Sequence, residues 1–115
     1  MSNEFFTPQS RNEAILQNIC GANNVLPEPQ SRIEKLLQAI LYEDATIVDF
    51  TPESRAELLL YAILTHGEYD AEPQSRNETI LKAILTNGDY DALPQSLIEA
   101  LLIEWLDQTK SCLLD

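Results

Sequence analysis

Four of the chain's seven basic residues share one setting. Arg11, Arg32, Arg55 and Arg76 each follow a serine and each stand two residues before a glutamate. A guanidinium is a planar fork of donors that fits a carboxylate with two parallel hydrogen bonds, so the chemistry on offer is ionic recognition. A cation at the first position of a helix opposes the macrodipole at a cost of a few tenths of a kcal/mol, so its recurrence requires a compensating anion. That anion is either within the chain or on a partner. Inside the chain the candidates are the loop acids Asp49, Asp70 and Asp91, or acids of an adjacent repeat, which would make a ladder of rungs. On a partner, the arginine row would grip acidic groups, and both readings stay open.

The residues of catalysis are sparse. His66 is the single histidine, and Cys20 and Cys112 stand at opposite ends of the chain rather than at ligand spacing. No glycine-rich phosphate loop occurs, and Asp89-Tyr90-Asp91 lacks the Asp/Asn, Gly and Glu progression of a calcium loop. With 19 acidic residues, some pair of carboxylates can always be imagined for hydrolysis, so such a pair says nothing. The expectation is a protein that is not an enzyme, with no cofactor, no metal and no catalytic residue.

The elements that carry the arginines are written five times. PQSRNEAILQNI begins at Pro8, PQSRIEKLLQAI at Pro29, PESRAELLLYAI at Pro52, PQSRNETILKAI at Pro73 and PQSLIEALLIEW at Pro94, at separations of 21, 23, 21 and 21 residues. A fixed period of this length marks a repeat architecture. Ser10, Ser31, Ser54, Ser75 and Ser96 are each followed three residues later by glutamate, which is the capping box at a helix start. A proline two residues before each serine keeps the chain extended up to the cap. Counted from the serine, the fifth, sixth and ninth residues are apolar in all five copies, from Ile15, Leu16 and Ile19 to Leu101, Leu102 and Trp105, giving one apolar face of a helix. The eighth is Ala39, Ala62 or Ala83 in the middle copies, small enough for close approach of neighbouring helices. Gly21, Gly67 and Gly88 follow the apolar runs as helix stops.

This predicts an all-α fold, a tandem array of five short capped helices with a superhelical twist, in a single domain spanning 1–115. The alternative is a compact five-helix bundle. Helices of about twelve residues are roughly 18 Å long. Loops of about nine residues reach some 30 Å when extended, so both parallel and antiparallel stacking are open. Val25, Val48, Tyr69 and Tyr90 each stand six residues before the next serine and are expected to pin their loops to the core. The longer second loop adds Ile47 and Phe50, which fill a corner or face a partner. Leu97 replaces the arginine in the fifth copy, as suits a terminal repeat without a next neighbour. The apolar residues at the array's ends, Phe5 and Phe6 before the first cap and Trp105, Leu113 and Leu114 in the last helix, either seal the core or dock on a partner or a second protomer. They and the four arginines are the candidate partner-binding residues.

A net charge of −12 argues against nucleic acid and anionic membrane surfaces, which need a basic footprint. It fits a soluble, self-repelling surface or a surface that imitates DNA. No apolar run approaches the roughly 18 residues of a membrane span, and MSNEFF has no signal-peptide pattern. Synthesis in a cytoplasm is expected.

Tandem P-x-S-R-x-E-x-x-L-x-x-I units, here PQSRNEAIL, PQSRIEKLL, PESRAELLL and PQSRNETIL with PQSLIEALL as a departure, resemble those in structural proteins of tailed phages of the head-fibre or tail-associated type, especially from phages of Gram-positive gut bacteria. The resemblance runs from Pro8 to about Leu106 and implies attachment or spacer units without catalytic residues. The expected function is a phage structural or assembly module that binds other virion proteins and itself as a homo-oligomer, located in the virion. The alternative is a small acidic inhibitor of a host enzyme that stays in the host cytoplasm.

Overall fold

Each Pro-x-Ser segment ends an extended run and starts a helix. In the computed structural model, which describes residues 7–114 with side chains as far as residue 109, the helices are α1 (Arg11–Ile19), α2 (Arg32–Tyr42), α3 (Arg55–Thr65), α4 (Arg76–Thr86) and α5 (Leu97–Leu114). A short 3-10 turn, Ala45–Ile47, lies in the longer second loop.

The helix starts share one geometry. In all five, the serine Oγ accepts from the amide of the glutamate three residues on, at 3.1 Å. The glutamate half of the capping box differs from the expected form. Its Oε1 accepts at 2.9 Å from the amide of the residue before the serine (Gln9, Gln30, Glu53, Gln74 or Gln95). The extended backbone of the serine brings that preceding amide over the first turn, within reach of the carboxylate.

The helix stops also correct the expectation. The left-handed residues that end α2, α3 and α4 are Glu43, His66 and Asn87, at φ of 55°, 58° and 59°, and not the glycines after the last two. The next amides, of Asp44, Gly67 and Gly88, donate to the carbonyls of Ala39, Ala62 and Ala83 at 2.9 Å, the six-to-one bond of a Schellman stop. A Cβ on Gly67 would sit 3.3 Å from Thr65 Oγ1, so glycine here relieves crowding. Only after α1 does glycine itself take positive φ, Gly21 at 111°.

Every helix packs on the one before and the one after, and α1 packs on α5. The row therefore closes on itself as a compact five-helix bundle, with a Cα radius of gyration of 13.5 Å and extents of 36 × 33 × 29 Å. An open superhelix would leave the apolar faces of α1 and α5 in water, whereas closure buries both. The stacking is parallel, because the first residue of each of the first four helices bonds to the first turn of the next helix. Each loop thus carries the chain back along about 16 Å of helix.

The fifth position of the repeat forms the centre of this ring. Ile15, Leu36, Leu59 and Ile80 are at most 1% exposed, and Leu101 is 3% exposed. Ala39, Ala62 and Ala83 are buried as well. Val48, Tyr69 and Tyr90 pack on the core as loop anchors. Val25 does not. It is 97% exposed, and Leu26 packs inward in its place. The cause is Asn24, which exchanges hydrogen bonds with Asn18 and also reaches Gln17, so the first loop is stapled to α1 one residue before Val25.

Candidate functional site

The recurring arginines end up inside the frame. Arg11, Arg32, Arg55 and Arg76 donate from Nε to the capping-box glutamate of the next helix, Glu34, Glu57, Glu78 and Glu99, at 2.9 to 3.1 Å. From Nη2 each also donates to a carbonyl three residues before the next cap serine, that of Glu28, Thr51, Glu72 or Leu93. Each arginine therefore holds the following repeat at two points, loop and helix start. The anions are the acids of the adjacent repeat, and the loop acids play no part in these rungs. Asp49 instead pairs with Lys35 at 3.0 Å. The Arg32 guanidinium also lies over the Phe50 ring at 4.2 Å, which gives that loop aromatic its place.

The rungs act on the carboxylates. Glu57 is held below the usual glutamate range by its hydrogen bond from Arg32 and by the Glu53 amide. For Glu78 and Glu99 the amides of Gln74 and Gln95 lead, and Arg55 and Arg76 add to them. Nε and Nη2 of each guanidinium are thus engaged within the chain, while the arginine side chains remain 34 to 41% exposed.

The ring has one seam of a different kind. By register, the residue of α5 that should reach Glu13 of α1 is Leu97, which has no cation to give. Leu97 is thus not a terminal residue without a neighbour, since α1 lies against α5. Glu13 is 8% exposed and accepts from the Gln9 amide, and no ion pair reaches it among the described residues. At the far end of the seam Gln108 donates to the Cys20 carbonyl at 2.7 Å, and the Cys20 thiol lies 3.5 Å from the Leu101 carbonyl. Burial, together with the nearby Glu104 charge, pushes that thiol up to about 12.

The ninth position of the repeat opens the core. Ile40, Ile63, Ile84 and Trp105 line a pit of about 890 Å³ at the end of the ring where the helices stop. Four of the five helices supply its walls. Glu43, His66 and Asn87, the three left-handed stop residues, stand at its rim, and α5 continues past them to Leu114. Trp105 is 6% exposed and belongs to both the core and the wall of the pit. Phe5 and Phe6 lie outside the described residues, as do the side chains of Leu113 and Leu114. Among the described residues no three His, Cys, Asp or Glu side chains gather as a metal site, and no helix is long and apolar enough to cross a membrane.

No protein-family model, curated protein or solved structure matches this chain.

Of the residues lining the pit, Trp105 alone is among the candidates that the sequence suggests. The signal for the rest was present, since the ninth position is apolar in every copy. It becomes a site only when parallel stacking and ring closure bring those residues around one mouth. The rim was hidden because the stop residue after each apolar run varies in chemistry, as Glu43, His66 and Asn87, and shares only its backbone angle.

Proposed function

We propose that this protein is a non-catalytic protein–protein interaction module, a structural or assembly component of a tailed phage that joins other virion proteins and a second copy of itself. It is made in the host cytoplasm and ends in the virion. What supports the reading is the division of labour between the repeated polar residues and the open end. Five serines, five glutamates and four arginines are all engaged in building the ring. The apolar pit with its polar rim is built from other positions of the repeat, apart from those serines, glutamates and arginines. A frame of this sort presents a fixed surface, which is what an attachment unit needs.

A second reading, an acidic inhibitor of a host enzyme, draws on the net charge of −12 and on the exposed acids Glu43, Asp44, Glu68, Asp89 and Asp107 near the helix stops. The two readings part on assembly. Absolute mass by light scattering behind a sizing column, over a range of concentrations and with purified virion proteins added, tests them. A defined oligomer, or co-elution with a virion protein, is the expected result. A monomer at all concentrations that co-elutes with no virion protein overturns the first reading and turns the search to enzymes that handle nucleic acid.

A further inference from the structure

The pit and the charge around it select a ligand. Its wall is apolar, built of three isoleucines and Trp105. Its rim is anionic for two independent reasons. α2, α3 and α4 run in parallel and stop at this rim, so their C-terminal partial negative charges, roughly half a unit each, point to it. Around that end stand Glu43, Asp44, Glu68, Asp89 and Asp107, all exposed. Asp44 is held below the usual carboxylate range by its bonds from the Thr46 hydroxyl and amide, so it stays ionised. Among the residues with described side chains at this end there is neither lysine nor arginine, and His66 is the one side chain that can carry a positive charge.

We propose that the pit is the docking site for a basic, apolar-tipped protein segment, one that inserts a leucine- or phenylalanine-sized side chain against Ile63, Ile84 and Trp105 and sets lysine or arginine over the rim. The proposal rests on the interaction-module reading and names the chemistry of its partner. Charge complementarity decides the occupant. A second copy of this chain would bring another −12 to an end that is already anionic, so it meets repulsion where a basic segment meets attraction. Self-association, where it occurs, then uses another face, such as the partly exposed Leu58 and Tyr61 on the outside of α3. The apolar wall supplies the anchor, and the rim supplies steering and selection against acidic segments.

Trp105 is the only tryptophan in the chain and lies in the pit wall, so its fluorescence reports occupancy. The full chain is titrated with a short amphipathic leucine–lysine peptide, with a lysine-only peptide and with a leucine–glutamate peptide. The expected result is a saturable shift of Trp105 emission with the leucine–lysine peptide alone. Ile63→Lys, which places a charge inside the pit, should weaken binding at least tenfold, while Leu58→Lys on the outer face of α3 leaves it unchanged. Should Ile63→Lys fail to fold by circular dichroism, the double variant Glu43→Lys with Glu68→Lys removes most of the negative charge of the rim without touching the core and should weaken binding as strongly. Equal binding of the lysine-only peptide, or an unchanged affinity in both the pit and rim variants, would mean general charge attraction and overturns the proposal. A virion protein that co-elutes with the chain without moving Trp105 emission sinks the pit and leaves the module reading standing. Peptide binding at the pit with no virion partner does the reverse.

Discussion

Arg32 at the start of α2 meets Glu57 in the first turn of α3, with Nη2 2.9 Å from Oε1, and the same carboxylate accepts from the Glu53 amide that leads into its own helix. One glutamate thus closes its own helix start and receives the preceding helix. The rung and the cap are a single device, repeated at Glu34, Glu78 and Glu99. This explains why arginine is tolerated at the first helical position, where the macrodipole opposes it. The cost is offset by an anion two residues into the next helix, where the macrodipole favours negative charge.

Arg55→Leu is therefore expected to destabilise. It removes the bond to Glu78 and the bond to the Glu72 carbonyl together, and it leaves a carboxylate that is largely covered without its cation. Lys35→Met removes an exposed pair with Asp49 and should cost much less, because exposed ion pairs contribute little. Thermal melts of the two variants give the ranking, and an Arg55→Leu protein that melts with the wild type would mean the rungs are not structural.

The same rungs set a pH dependence. The pKa values of Glu57, Glu78 and Glu99 are depressed in the folded chain below the usual 4.5, so the stability they contribute is present above that value and is lost as pH falls through the lower, folded values. Acidification also relieves the self-repulsion of a −12 chain, which acts in the opposite direction. Comparing the wild type with Arg32→Leu cancels most of that second effect. The difference in Tm between them should be constant from neutral pH down to about 4.5 and shrink below it. A difference that holds to lower pH would mean Arg32 acts through the Phe50 ring and the Thr51 carbonyl rather than through the Glu57 charge.

Much of this was legible in the sequence. Five capping boxes in register, the apolar positions and the period define five helices and the core from Ile15 to Leu106 without any coordinates. Closure was not legible. Whether five repeats form an open row or a ring depends on a small rotation per repeat, set by side-chain volumes at Ala39, Ala62 and Ala83 and by loop geometry, and no single residue encodes it. The loop anchor at Val25 failed for a local reason, the Asn18–Asn24 staple, which competes with the register shared by the other loops. The pit depends on closure and was hidden with it.

The cap serines give the simplest magnitude. Ser54 Oγ accepts from the Glu57 amide at 3.1 Å, and Ser54→Ala leaves that amide without its partner. The expected loss is about 1 kcal/mol, read from denaturant melts. Ser54→Asp should keep most of the stability, since an aspartate oxygen caps the same amide.

The seam between α5 and α1 is expected to be the weakest joint of the ring, because it alone pairs two helices without an arginine rung among the described residues. Leu97→Arg should add the fifth rung. The register that places Arg76 on Glu99 places residue 97 of α5 over Glu13 of α1, with the Thr7 carbonyl in the position that Leu93 offers to Arg76. The variant should raise Tm by a few degrees, the scale on which a bond worth a fraction of a kcal/mol acts in a domain of this size. Cys20 gives an independent readout, since its thiol is buried in this seam and its pKa of about 12 leaves almost no thiolate while the seam is shut. In a Cys112→Ser background, labelling of Cys20 by a thiol reagent then reports opening of α1 from α5. Leu97→Arg should slow that labelling severalfold, while Ser54→Ala, on the far side of the ring, should change it little until the chain as a whole unfolds. If Leu97→Arg leaves both the melt and the labelling rate unchanged, α5 does not meet α1 in the register of the other four joints, and the ring closes by apolar packing alone.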